Sequence, residues 1–303
     1  MQMENDSTIE NVNVNEKTEE NKKTKKKKKG SGRTVLAVIL FTISAVSLGF
    51  GLYNLNIYRS ADAHNYQVSQ NIMVAPVPDE PVQVEDEDVP ETEEKVEITY
   101  PYLNIDHYNL QKINSDYVGT LYFPLLDICY PIAHSHDGQE YLHIMFDGTS
   151  NASGSIFMAE TCKADYSSRN TIIYGHNMRN GSMFGSLKRL RQEEGLCDQD
   201  PYIYIYTPGD VRKYRIFAYY PAYQPDVCYD EISSFDLYDQ YLEMVFDRSE
   251  YDFPEDLRNT MFEGYPGILT LSTCGRSNGA SFNALNAVFV GIGNTPLEVI
   301  EEQ

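Results

Sequence analysis

One stretch limits what this chain can fold into more than any other. Residues 34–53 read TVLAVILFTISAVSLGFGLY, and no charged side chain occurs from Thr34 to Tyr58. An apolar helix of roughly 20 residues matches the ~30 Å hydrocarbon core of a bilayer. The alternative use of such a run is burial in a soluble core, and its flanks argue against that. Lys22–Arg33 (KKTKKKKKGSGR) is strongly basic and Asp79–Glu97 (DEPVQVEDEDVPETEEKVE) is strongly acidic. Blocks of this kind stay solvated and build no core. The lysines precede the apolar run, and Arg59 is the nearest positive charge after it. That asymmetry puts the N-terminus in the cytoplasm and everything beyond residue 60 outside the cell. A cleaved signal peptide competes, because Ala61-Asp62-Ala63 resembles a small-residue cleavage site. The apolar run exceeds a signal core of about 7–15 residues and a long leader precedes it, which favours a retained anchor.

The expected organisation is a basic cytoplasmic tail (1–33), a transmembrane anchor (34–58), an acidic Pro-rich stalk (59–100) and one folded domain (101–303). Pro76, Pro78, Pro81 and Pro90 lie among self-repelling carboxylates, a composition that makes an extended spacer. The formal net charge of −21 excludes nucleic acid as a partner bound through the bulk field. From residue 101 the composition changes. YLNIDHYNLQKIN carries apolar residues at helical spacing. It is followed by YVGTLYFPLL, DICYPIAH, GSIFMAE, NTIIYGH, YIYIYTP, KYRIFAYYPAY, GILTLST and NAVFVGI. These runs are rich in β-branched and aromatic residues and are bounded by Gly, Pro, Asn or Asp, as short strands are. About eight strands predict a mostly β domain, a closed barrel or a sandwich. In YIYIYTP, Ile203 and Ile205 are the expected core face. Two helical stripes interrupt the strands: SMFGSLKRLRQ, and residues 233–248 with Phe235, Tyr238, Tyr241, Leu242, Val245 and Phe246 along one side.

All five cysteines (129, 162, 197, 228 and 274) lie beyond the anchor, where disulfides are permitted. The odd count leaves at least one thiol free unless the chain pairs with another. Pairing among Cys129, Cys162, Cys197 and Cys228 cannot be read from the sequence, and buried thiols are the default. Cys274 differs, because it ends an apolar run and is followed by Gly275. A strand-end thiol is held rigidly on one side and open on the other, as a nucleophile must be. Only a few per cent of an ordinary thiol is ionised at neutral pH, so such a nucleophile needs a nearby histidine or cation. His176, closing the run NTIIYGH beside Gly175 and Asn177, is the natural partner. His134, His136 and His143 flank one turn without a helical HxxxH spacing, so no metal site is expected. His64 falls on the stalk and His107 in the first helix. No cofactor is implied.

Together these segments resemble the class B sortases, cysteine transpeptidases of Gram-positive cell surfaces. The resemblance runs from about residue 105 to about 293. It is carried by INSDYVGTLYFP, GSIFMAE, NTIIYGHNMRNGSMFGSLKRL, YIYIYTP and ILTLSTC, in family order. It implies an eight-stranded sortase-type β-barrel with a few helices, in which Cys274 and His176 face one another in a groove. The implied chemistry is attack by Cys274 on a C-terminal sorting motif of a secreted protein, often NPQTN-like. His176 acts as general acid and then as base around a thioacyl-enzyme, which an amine of the cell wall resolves. The implied partners are secreted proteins bearing that motif, an amine acceptor and the membrane.

The sequence departs from this pattern at one place. The family carries an arginine at the start of the last strand, where Asn286 stands here, preceded by Ala284 and Leu285. The arginine that follows the cysteine is Arg276, in the next loop. Two expectations follow, that Arg276 supplies the missing guanidinium from the loop and that Asn286 donates a weaker neutral hydrogen bond. Two further functional readings remain open at this level. One is a pilus-assembling enzyme of the same class that uses a pilin lysine. The other is a weakly active sortase-fold binding or scaffold protein.

Overall fold

The computed structural model describes residues 31–69, 72–74, 100–101, 103–222, 231–274 and 282–294. These divide between two compact units, residues 1–56 and 57–303, each considered by itself.

The first element, α1 (Ser31–Ser69), contains the apolar run, and its stretch Gly32–Ala61 is long and apolar enough to cross a membrane. The helix runs on past the expected end of the anchor. A three-residue strand follows, β1 (Ile72–Val74), pairing antiparallel with β2 (Leu103–Ile105). The acidic, Pro-rich residues between them lie outside the described residues, while the N-terminal part of the expected spacer carries the end of α1 and the strand β1. Next comes α2 (His107–Ile113), capped by the Asp106 side chain, which accepts from the Asn109 backbone N–H at 2.8 Å.

Eight further strands close a barrel. They are β3 (Tyr117–Phe123), β4 (Ile128–His134), β5 (Ile156–Met158), β6 (Asn170–His176), β7 (Tyr202–Tyr206), β8 (Asp210–Ala222), β9 (Ile268–Cys274) and β10 (Phe282–Asn294). Each of the eight strand-like runs in the sequence supplies one of them. The order around the barrel is β10-β8-β7-β3-β4-β5-β6-β9, closed by β9 against β10. Two pairs are parallel, β4 with β5 and β6 with β9, and both require long crossovers. Between β3 and β4 the chain makes a 3-10 turn (Pro124–Leu126) and passes through Asp127 at φ 53°, a conformation aspartate tolerates better than most residues.

The barrel interior holds Leu121, Phe123, Ile132, Ile173, Ile203, Ile205, Ile216, Leu269, Leu271 and Leu285, all buried. Ile203 and Ile205 are the core face of β7, as expected. Tyr204 and Tyr206, on the other face, are buried under the segment that carries Leu103, and the Tyr206 hydroxyl donates to the Pro101 carbonyl.

A second apolar cluster forms on the outside of the sheet. The connection from β8 to β9 carries α5 (Phe235–Arg248) and α6 (Glu255–Met261); α3 (Arg189–Gln192) and α4 (Leu196–Gln199) are single turns before β7. Tyr238, Tyr241 and Val245 of α5 are buried against Phe217, Ala218, Tyr220, Ala284 and Val288. Phe235, expected on that stripe, instead stays half exposed and sits on Tyr265, with ring centroids 4.3 Å apart. The other expected helix, SMFGSLKRLRQ, is mostly a series of tight turns. Its backbone bonds run from residue i to i−3, from Leu187 to Phe184 through Arg191 to Lys188. That spacing tightens the chain enough to bury Phe184, Leu187 and Leu190 together.

Candidate active site

The parallel pairing of β6 with β9 aligns Asn170 with Ile268 and continues to the last pair, His176 opposite Cys274. Neighbouring strands lie about 4.8 Å apart, so the two residues singled out in the sequence, 98 positions apart, become backbone neighbours at the same end of two strands. The side chain of Cys274 lies outside the described residues, as does the whole of Arg276.

His176 is held on one side. Its Nε2 lies 2.7 Å from the Leu142 carbonyl oxygen. A carbonyl only accepts, so Nε2 carries the proton, and in the neutral ring Nδ1 holds the free lone pair. The Leu142 carbonyl comes from a 3-10 turn (Glu140–Leu142) in the connection from β4 to β5. His143, the next residue, places its ring 6.1 Å from that of His176. Burial lowers the pKa of His176 below its usual 6.5; the Leu142 carbonyl opposes the shift and His143 adds to it. The ring is therefore mainly neutral at pH 7, and among the described residues its Nδ1 has no hydrogen-bond partner.

The backbone around this turn leaves no room for larger residues. A Cβ on Gly154, whose φ is +56°, would lie 2.6 Å from the Leu142 oxygen and closer still to the Tyr141 oxygen. A Cβ on Gly175 would meet Ile156 at 2.5 Å and Phe184 at 2.8 Å. Glycine at these two positions lets the turn and the strand approach His176.

Asn286 lies elsewhere. It pairs with Thr270 across β9 and β10, four residues before Cys274, or about 13 Å along the strand. Its Nδ2 donates to the Tyr241 hydroxyl at 2.7 Å and to Thr270 Oγ1 at 2.8 Å. Thr270 in turn donates to Asn170 Oδ1 at 2.7 Å. Both amide hydrogens are thus committed to a fully buried network beneath α5, and among the described residues Oδ1 has no donor. The expected neutral donor to the reacting carbonyl is not available from this position.

The remaining histidines also have partners. His134 Nε2 lies 2.9 Å from the Cys162 carbonyl, and His107 Nδ1 lies 2.8 Å from the Tyr117 hydroxyl. His136 Nε2 lies 3.0 Å from Asp116 Oδ1, and with Glu140 these side chains offer ligand atoms within 4.8 Å of one another. The arrangement is close enough to converge on a cation, yet it also works as an ion pair, in which Asp116 raises the pKa of the exposed His136. Among the described residues Cys129, Cys162 and Cys197 are free thiols, and burial raises the pKa of each, to about 12 for Cys129 and Cys197.

Sequence reasoning missed the Leu142 carbonyl and the closeness of His143. A backbone acceptor leaves no mark in a side-chain pattern. The run AHSHDGQEYLH invited a metal reading that drew attention away from its last residue.

The sortase-domain family model matches residues 121–291, more than half of the 303 residues. The chain belongs to the sortase family. Sortase B of Listeria monocytogenes is 34% identical over 172 residues, which cover 55% of this chain and 65% of that protein. Sortase B of Staphylococcus aureus is 32% identical over 80 residues, covering 26% of this chain and 33% of that one. The chain thus spans less than two thirds of either relative's length. Among solved structures, sortase B from Bacillus anthracis in complex with AAEK1 is 31% identical with a TM-score of 0.53, covering 60% of this chain and 82% of that one. Clostridium perfringens sortase B is 27% identical with a TM-score of 0.55, covering 61% and 99%. Within the family, these relatives make it a class B sortase.

Proposed function

We propose that this chain is a membrane-anchored cysteine transpeptidase with Cys274 as nucleophile and His176 as general acid and base. The observation that carries the reading is the terminal register pair of β6 and β9, which sets these two residues side by side. The chemistry follows from the protonation states. The Cys274 thiol gives its proton to Nδ1 of the neutral His176, and the thiolate attacks the carbonyl carbon of a peptide bond in a sorting motif. As the C–N bond breaks, the imidazolium returns the proton to the leaving amine. A thioester remains on Cys274. An amine then attacks it, His176 takes that amine's proton, and the thiolate leaves, so the product is a new amide. Burial that keeps the imidazole neutral suits the proton-accepting steps.

Charge on the tetrahedral oxygen needs a donor. Arg276, two residues beyond the nucleophile, is the residue we assign to it. Asn286 is assigned to the packing of α5. The substrate class is a secreted protein with a C-terminal sorting motif, and the acceptor is an amine of a cell-wall precursor. The apolar helix anchors the enzyme, with the lysine-rich tail in the cytoplasm and the barrel outside.

Incubation of the full chain with sorting peptides and an amine should yield amide product and a thioester adduct on Cys274, seen by mass spectrometry. Cys274→Ala should remove both. Undiminished turnover by that variant would sink the nucleophile assignment. The absence at Asn286 of the family's arginine favours a second reading, a scaffold with little activity. A wild-type chain that forms no adduct with any peptide would favour it. A pilin lysine accepted in preference to a cell-wall amine would redirect the function to pilus assembly.

A further inference from the structure

The connection from β4 to β5 is tied down from a second side, by helix α1. His64 Nδ1 lies 3.1 Å from Asp147 Oδ2; the His64 side chain is buried and that of Asp147 is a third exposed. Asn151 Nδ2 donates to Ser60 Oγ at 2.6 Å, while the Ser60 hydroxyl donates to the Ile57 carbonyl at 3.0 Å. Ala61 and His64 are buried. The four residues lie in the same compact unit as the barrel. One turn of α1 therefore holds the connection at two points, through Ser60 and His64.

Those two points frame the loop that positions His176. Asn151 N–H donates to the His143 carbonyl at 2.9 Å, and Ile144 bridges to Ser150. Asp147 Oδ1 accepts from both the N–H and the hydroxyl of Thr149, at 2.9 and 2.6 Å. The segment 143–151 is thus a closed, internally bonded loop. At its base sit the Leu142 carbonyl, which fixes the tautomer of His176, and the His143 ring, which lies against it.

We propose that Ser60 and His64 are positioning residues for His176, acting through Asp147, Asn151 and the Leu142 carbonyl. The role rests on the reading of His176 as the acid and base. It gives the end of the apolar helix a part in catalysis beyond anchoring: with the clamp released, the 142–151 loop moves and Nδ1 is no longer held for proton transfer.

The test uses the full chain in phosphatidylglycerol vesicles, comparing wild type with Ser60→Ala/His64→Ala. The charge-swapped pair His64→Asp/Asp147→His serves as the rescue. Two readouts are taken, the pH profile of kcat/KM on a sorting peptide and the NMR titration of His176, assigned by loss of its signal in His176→Gln. The double alanine variant should lose about tenfold in kcat/KM, the scale expected when a reacting group is misplaced by a fraction of an ångström. Its His176 titration should move up toward 6.5 as the ring gains solvent. The swapped pair should recover at least part of both. An unchanged titration and unchanged kcat/KM in the alanine variant would overturn the proposal. So would a loss of activity that leaves the titration in place, since that is a general effect on stability. If the wild type forms no acyl-enzyme, the catalytic reading has failed, and the titration alone still decides whether the clamp sets the environment of His176.

Discussion

With Nε2 donating to the Leu142 carbonyl at 2.7 Å, Nδ1 is the nitrogen left for the proton transfer proposed for His176. Its pKa is lowered first by burial and then by His143, with the carbonyl opposing. A bell-shaped pH profile of kcat/KM should therefore have its acidic limb below 6.5. His143→Ala removes one lowering influence, so the limb should move to higher pH; a limb that stays in place or moves down would separate His143 from the site. Asn286 poses the opposite case. Its burial and two donated hydrogen bonds predict that Asn286→Ala lowers stability by roughly 1–3 kcal/mol in urea unfolding and leaves kcat/KM within a few-fold. A hundredfold loss of turnover at native stability would restore Asn286 to the reaction. Cys274 and His176 were legible as candidates because each closes a strand-like run. The register of Asn286 opposite Thr270 was not legible, because matching strands by sequence says nothing of how far along its neighbour a residue sits.

At the scale of elements, the 3-10 turn Glu140–Leu142 matters most, because it delivers a carbonyl and not a side chain. Gly154 is packed against that turn at φ +56°. Gly154→Ala adds a methyl where the Tyr141 and Leu142 oxygens already sit, and it strains a left-handed backbone. The expected result is a loss of about 1–2 kcal/mol in thermal or urea unfolding. A drop in kcat/KM should accompany it as the Leu142 carbonyl is displaced. Full activity in a destabilised variant would mean that the turn can shift without carrying His176 with it. The strands were readable because alternation and turn residues bound each one. The stretch after His176 was read as a helix because its apolar spacing fits 3.6 residues, but the structure buries the same side chains with i to i−3 turns. Spacing alone does not distinguish these over so short a run.

At the scale of the whole molecule, stability and charge are linked through the half-buried His107. His107 is lowered to about 4 by burial, with Asp106 partly opposing. The unfolded chain takes up this proton near 6.5 and the folded chain only near 4. The unfolded state therefore binds more protons between those values, and stability should fall as pH drops through that window and level off below it. Urea midpoints at pH 7, 5.5 and 4.5 should show the decline, and His107→Gln should flatten it. An equal slope in the variant would assign the decline to other groups.

The apolar stretch, the eight strands and the candidate pair Cys274 and His176 could be picked out from the sequence, because each depends on local pattern or on residue chemistry. Which strands run parallel, how far Asn286 lies from Cys274, and which backbone oxygen holds His176 were decided only in three dimensions. These depend on register and on contacts between residues 34 to 98 positions apart, which no local period encodes.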